Sequence, residues 1–136
     1  MFARMFNHTN LMQKSLDVMA LRQEVIAHNI ANADTPNYKV QHVEFESLYR
    51  QALQDRANGA VQLKTSSPRH IQSDFANPEK VSPAVVSETW HTMRMDGSNV
   101  DVDQEMTELA MNTIRYQLTL QQVSEELKRL KTAITG

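Results

Sequence analysis

No cysteine occurs among the 136 residues of this chain. That excludes a disulfide framework, a thiolate metal site and a cysteine nucleophile, and it suits an oxidising compartment as well as the cytosol. Glycine is nearly as scarce, with only Gly59, Gly97 and Gly136. A P-loop, a dinucleotide fingerprint and a nucleophile elbow each need glycines a few residues apart, so none can be built here. Neither sign of charge dominates: 14 Lys and Arg stand against 16 Asp and Glu, for a net charge of −2. The chain offers no polycation to a phosphate backbone, and no nucleic-acid partner is expected. Long apolar runs are missing as well. Nothing approaches the roughly 18 residues of a membrane span. The opening Met1-Phe2-Ala3-Arg4-Met5-Phe6-Asn7-His8-Thr9-Asn10 turns polar before a signal-peptide core could form. The expectation is a protein that does not span a membrane and that, if it leaves the cytoplasm, keeps its N-terminus.

What the chain does have is periodicity at both ends. From Leu11 to Ile30, Met12, Leu16, Met19, Ile26 and Ile30 follow steps of four and three, with Gln23 filling one position. A second stripe, Leu11, Val18, Leu21 and Val25, lies beside the first. Together they are wider than a two-stranded coiled coil needs, so this helix is expected to meet more than one neighbour. Near the C-terminus, Met106, Leu109, Thr113, Tyr116, Leu120, Val123, Leu127, Leu130 and Ile134 repeat without a slip. Asp101 or Asp103 can cap that helix, with Glu105 and Glu108 in its acidic first turns and Lys128, Arg129 and Lys131 near the other end. Two such seams cannot shelter their apolar sides within one hairpin, and order at both ends is expected to depend on surrounding chains.

The middle is different. A short amphipathic helix is expected over Val43–Leu53, with Phe45, Leu48, Tyr49, Ala52 and Leu53 on one side. Asn58-Gly59 marks a turn, and Pro68, Pro78 and Pro83 interrupt regular structure. Ala84 to Trp90 suits one strand of a small hairpin or an extended arm, and Asp96-Gly97-Ser98-Asn99 turns the chain into the last helix. The fold class is therefore mainly α: long terminal helices pairing as a coiled-coil-like hairpin, a short third helix, and an irregular middle with room for a small β-hairpin. By region, residues 1–56 form an N-terminal helical part, 57–99 a short extended segment and 100–136 the heptad helix. The first and last of these make one core domain.

Where the first helix ends, the sequence reads Ala27-His28-Asn29-Ile30-Ala31-Asn32-Ala33-Asp34-Thr35-Pro36-Asn37-Tyr38. Asn29 and Asn32 lie one turn apart, and asparagine is a poor interior helix residue. Near a helix C-terminus their amides can serve unpaired carbonyls or a neighbouring chain. Pro36 pushes Thr35 out of the helical region, and Asn37 can take the left-handed conformation of a sharp exit. Read without analogy, this is a helix stop and a turn.

The whole string, however, resembles the N-terminal signature of flagellar rod and hook proteins, A-x-N-I/L-A-N-x-x-T-x-G-Y, at Ala27, Asn29, Ile30, Ala31, Asn32, Thr35 and Tyr38. Asn37 stands where that family usually has glycine, and His28 where a second asparagine is common. Leu21 to Ile26, Asp96 to Asp101, Glu105-Met106 and Ile114 to Gln117 resemble the short proximal-rod members. The resemblance implies a structural subunit rather than an enzyme, exported through the flagellar type III apparatus without signal cleavage. It would polymerise in the periplasmic rod of the basal body through paired terminal helices, forming a tube that transmits torque. Partners so implied are other copies of the chain, other rod proteins, the MS-ring junction protein FliE and the export gate, which Phe2 and Phe6 would engage. Those two aromatics read equally well as anchors of an amphipathic helix start.

Other readings are weaker. The histidines His8, His28, His42, His70 and His91 include no i, i+4 pair for a zinc site. Asp96, Asp101 and Asp103 have the wrong spacing for a calcium loop. No cofactor, metal or small-molecule substrate is expected. A wall hydrolase would need a paired acid and base in a cleft. The stronger alternatives are another proximal-rod member, or a cytoplasmic coiled-coil adaptor or secretion chaperone that shares the heptads.

Overall fold

The computed structural model describes residues 2–57, 81–89 and 97–135, with backbone alone for 2–8 and 55–57. The expected turn at Asn58-Gly59, the breaks at Pro68 and Pro78, Trp90, Asp96 and the histidines at 70 and 91 lie outside the described residues. In order come α1 (Phe2–Ala31), β1 (Gln41–Glu44), α2 (Glu46–Ala57), β2 (Ala84–Ser87) and α3 (Val102–Thr135). The long terminal helices pack against each other, and β1 and β2 form a two-stranded antiparallel sheet. The chain divides into two compact units, residues 1–42 with 87–136, and residues 43–86.

In the first unit α1 and α3 run antiparallel, the end of one lying beside the start of the other. Among the described side chains of α1, Val18, Val25 and Ile26 are the buried apolar ones. Met12, Leu16, Met19 and Ile30 are half-buried, so the second stripe reaches the interior as fully as the first. Asp101 caps α3: its Oδ1 accepts from the backbone N–H of Asp103 (3.0 Å) and of Gln104 (3.3 Å). Lys128, Arg129 and Lys131 fall short of the last turn, which holds no basic residue. Five threonines of α3 turn their hydroxyls back to the carbonyl four residues earlier, which removes them as polar groups seeking outside partners.

In the second unit the amphipathic helix starts later than its pattern suggested. Val43 and Glu44 belong to β1, and the helix begins at Glu46. The reason is a two-residue alternation, buried Val43, exposed Glu44, buried Phe45, which suits an extended chain. Tyr49 N–H donates to Phe45 O (2.8 Å), closing the first turn of α2. The two rings stack at 5.5 Å, and Ala52 is buried one turn on.

Candidate functional site

The helix stop at Asn29–Tyr38 and the turn before α3 meet in one place. Asn29 is wholly buried. Its Nδ2 donates to the Gln41 carbonyl (2.7 Å) and to Glu105 Oε2 (2.9 Å). Its Oδ1 accepts from Gln41 N–H (3.0 Å) and from the Tyr38 hydroxyl (3.2 Å). Both amide hydrogens and both oxygen lone pairs are thus in use, all within the chain. Toward Gln41 the side chain pairs as a strand backbone would.

Asn32, one turn later, works locally. Its Nδ2 donates to the His28 carbonyl (2.8 Å), which also accepts the Asn32 backbone N–H (3.1 Å), and its Oδ1 accepts from Thr35 Oγ1 (3.3 Å). Thr35 N–H returns to Asn32 O (2.9 Å) and Tyr38 N–H to Thr35 O (3.2 Å), which folds the turn. Asn37 sits at φ 60°, the left-handed conformation expected of it. Against it lies Gly97 at φ 80°, where an added Cβ would come within 2.5 Å of Asn37 Oδ1. The positive φ favours glycine there, and a Cβ would also oblige the Asn37 amide to shift.

Three further contacts bind the two turns. Ser98, fully buried, donates to the Ala33 carbonyl (3.3 Å), and Lys39 Nζ donates to the Gly97 carbonyl (2.9 Å). Asn99 accepts from Val40 N–H (2.7 Å) and donates to the Glu88 carbonyl (3.1 Å). Glu88 N–H in turn reaches Val40 O (2.9 Å). One asparagine amide therefore bridges the two extended segments beyond the ends of β1 and β2.

Among the described residues, Glu105 is the acid whose carboxylate bonds Asn29. Burial pushes its carboxyl above the usual range, the Asn29 hydrogen bond pulls it down, and Glu108 and Asp101 push it up again. Burial, and then Glu105, raise the Tyr38 phenol as well, which keeps it a donor. The groups are spent on one another, and what the arrangement supplies is cohesion among the end of α1, the strand entry and the start of α3.

The remaining residues singled out in the sequence fall elsewhere. Ala27, Ala31 and Thr35 are exposed, and Ile30 is half-buried. On α3, Leu109, Tyr116, Val123 and Leu130 are half-buried toward α1. Met106, Leu120, Leu127 and Ile134 stay 57, 49, 53 and 80 % exposed. Met111, Ile114 and Leu118 make a second exposed apolar side. The side chains of Phe2 and Phe6 lie outside the described residues, their backbone being in α1. His42 approaches Glu88 at 3.7 Å, both well exposed. No group of three or more acids and histidines able to hold a metal occurs among the described residues. No helix among them is long and apolar enough to cross a membrane.

Reading by pattern missed the roles of Ser98, Asn99, Glu105 and Asn112. A signal for two of them was present: Glu105 and Asn112 are seven apart and flank the stripe of Leu109, Tyr116, Val123 and Leu130, where a polar residue interrupts a packing face.

Comparison with known proteins bears on the same segment. Residues 16–39 match the family model described as flagella basal body rod protein. Over the longer range, the chain is 35 % identical to the flagellar basal body rod protein FlgB of Bacillus subtilis across 92 % of its own length and 91 % of the relative's. It is 41 % identical to FlgB of Borreliella burgdorferi across 76 % and 77 %. It is 33 % identical to FlgB of Escherichia coli across 90 % and 88 %.

Proposed function

The chain belongs to the FlgB family of flagellar basal-body rod proteins, and on that premise we propose that it is a proximal-rod subunit that polymerises through its terminal helices. The observation that carries this reading is the surface of α3. One side of that helix is occupied by α1, while two further apolar sides, Met106-Leu120-Leu127-Ile134 and Met111-Ile114-Leu118, stay in solvent. A helix that is apolar on three sides needs more neighbours than one chain provides. Contacts that repeat head to tail without closing build a helical stack, which suits a tube wall.

On the same reading the subunit is exported by the flagellar type III apparatus, without signal cleavage, and assembles in the periplasm. Its partners there are further copies, sister rod proteins and FliE at the MS ring. Phe2 and Phe6 contact the export gate on the strength of the resemblance alone. The rod transmits torque and leaves a channel open, a mechanical task in which the tie at Asn29 joins the end of α1 to the start of α3.

The test uses Leu120→Asp and Leu127→Asp in cells lacking the native copy. Both proteins should be exported and yet be missing from isolated basal bodies, with swimming lost. Normal swimming by both would remove α3 from the wall. A subunit found as a small folded oligomer in the cytoplasm, absent from basal bodies even in the parent, would favour the adaptor reading.

A further inference from the structure

Along α3, Glu105, Asn112, Thr119 and Glu126 recur every seven residues, and so do Leu109, Tyr116, Val123 and Leu130. The two lines alternate at steps of four and three and together make the side that faces α1. Glu105 and Asn112 are buried, and the other six are half-buried. One residue beyond each member of the first line stand Met106, Thr113, Leu120 and Leu127, with Ile134 following, and all but Thr113 are exposed.

This is the reverse of what apolar burial alone would choose. A roll of α3 by roughly 50°, half the ~100° between successive residues, would keep the central line in the seam. It would also replace the polar line by the apolar one. Side-chain bonds of Glu105 and Asn112 hold the helix in the observed rotation. Glu105 accepts from Asn29 Nδ2 at 2.9 Å, and Asn112 Nδ2 donates to the Met19 carbonyl at 2.9 Å, two turns away. Thr119 adds none, since its hydroxyl returns to Arg115 O of its own helix. Asn112 Oδ1, by contrast, is buried with no partner among the described residues. A half-satisfied amide in a helix seam weakens the pair and at the same time specifies one arrangement of it.

We propose that the polar line is a rotational selector: Glu105 and Asn112 fix which side of α3 faces α1, and so hold Met106, Leu120, Leu127 and Ile134 outward. The value of that outward side rests on the rod reading, while the selection itself is a property of the single chain. Without the selector, the chain would fold its own assembly surface into the hairpin. Glu105 and Asn112 are positioning residues in this scheme, touching no neighbour themselves.

Because the chain has no native cysteine, single cysteines report the rotation cleanly. Thr119→Cys and Leu120→Cys are labelled with a water-soluble maleimide in the purified full chain, in three backgrounds: parent, Asn112→Ala, and Glu105→Ala with Asn112→Ala. Expected in the parent is fast labelling at position 120 and slow labelling at 119. In the doubly substituted background the order should reverse, and Asn112→Ala alone should narrow the difference. An unchanged order in both backgrounds would mean that packing sets the rotation, and the proposal would fall. Fast labelling at both positions, in the parent or in the doubly substituted chain, would equally overturn it, because no choice between two packed rotations would then exist. Absence of the parent from basal bodies would leave these rates as they are, so this proposal and the rod reading fail separately.

Discussion

Asn29 commits all four of its hydrogen-bonding positions inside the chain, so its replacement strands three partners at once. Asn29→Ala leaves Gln41 N–H, the Tyr38 hydroxyl and Glu105 seeking partners in a buried place. The expected loss is about 3 kcal/mol of unfolding free energy, read by urea titration. Asn29→Asp should lose more, since a second carboxylate then faces Glu105 with no donor between them. Asn32→Ala, at a half-buried helix end, should cost only about 1 kcal/mol in the same titration. At Gly97 the backbone at φ 80° and the nearness of Asn37 act together. Gly97→Ala should cost about 1–3 kcal/mol, seen as a lower melting temperature. Glu105 makes a pH prediction with a definite sign. Its folded pKa is raised, chiefly by burial, so the native state holds its proton more firmly than the unfolded chain does. This contribution is fully present below the ordinary carboxylate range and fades as pH rises through the raised folded value. Glu105→Gln keeps an acceptor for Asn29 and removes the titration. The variant's stability should therefore fall less than the parent's over that window, and parallel curves would show that Glu105 is not the group responsible.

At the scale of elements, α1 ends because Asn32 and the turn to Tyr38 satisfy its last carbonyls, and Pro36 forbids continuation. α3 begins where Asp101 caps it. Asp101→Ala should lower stability by about 1 kcal/mol, and protection of amides in the first turn of α3 should drop first in hydrogen exchange. Both helices were legible from spacing, α1 from Leu11 to Ile30 and α3 from Met106 to Ile134, although α1 begins earlier, at Phe2, than its repeat shows. The cap was legible too, as one of two aspartates. β1 was not, because four residues ahead of a helix carry too few alternations to outweigh the helical pattern that follows. The pairing of the two turns could not be read at all. Gly97 and Asn37 are sixty positions apart, and nothing in either tetrapeptide indicates that a side chain of one occupies the space above the other.

For the whole molecule, the contrast between α3's inward and outward sides sets what substitutions do. Leu120 and Leu127 are half-exposed in the single chain, so a charge at either should alter its stability by no more than about 0.5 kcal/mol. The same charge buried in a tube wall is severely unfavourable. Leu120→Asp should therefore melt like the parent while failing to enter the rod, and a large fall in melting temperature would place Leu120 inside the chain's own core. The sequence by itself determined that two long helices stand at the two ends of the chain, because helical periodicity is a local property that each segment carries alone. It also determined the kinship, through a string of residues around Asn29 too specific to be a mere helix stop. Only the tertiary structure decided that Asn29 reaches Glu105 across 76 positions, and that α3 sets the line of Glu105 and Asn112, rather than that of Met106, Leu120 and Leu127, beside Leu109 and Tyr116 toward α1. Those outcomes depend on which groups find partners once the chain has folded back on itself, and spacing along a helix states which residues share a side without stating what that side will meet.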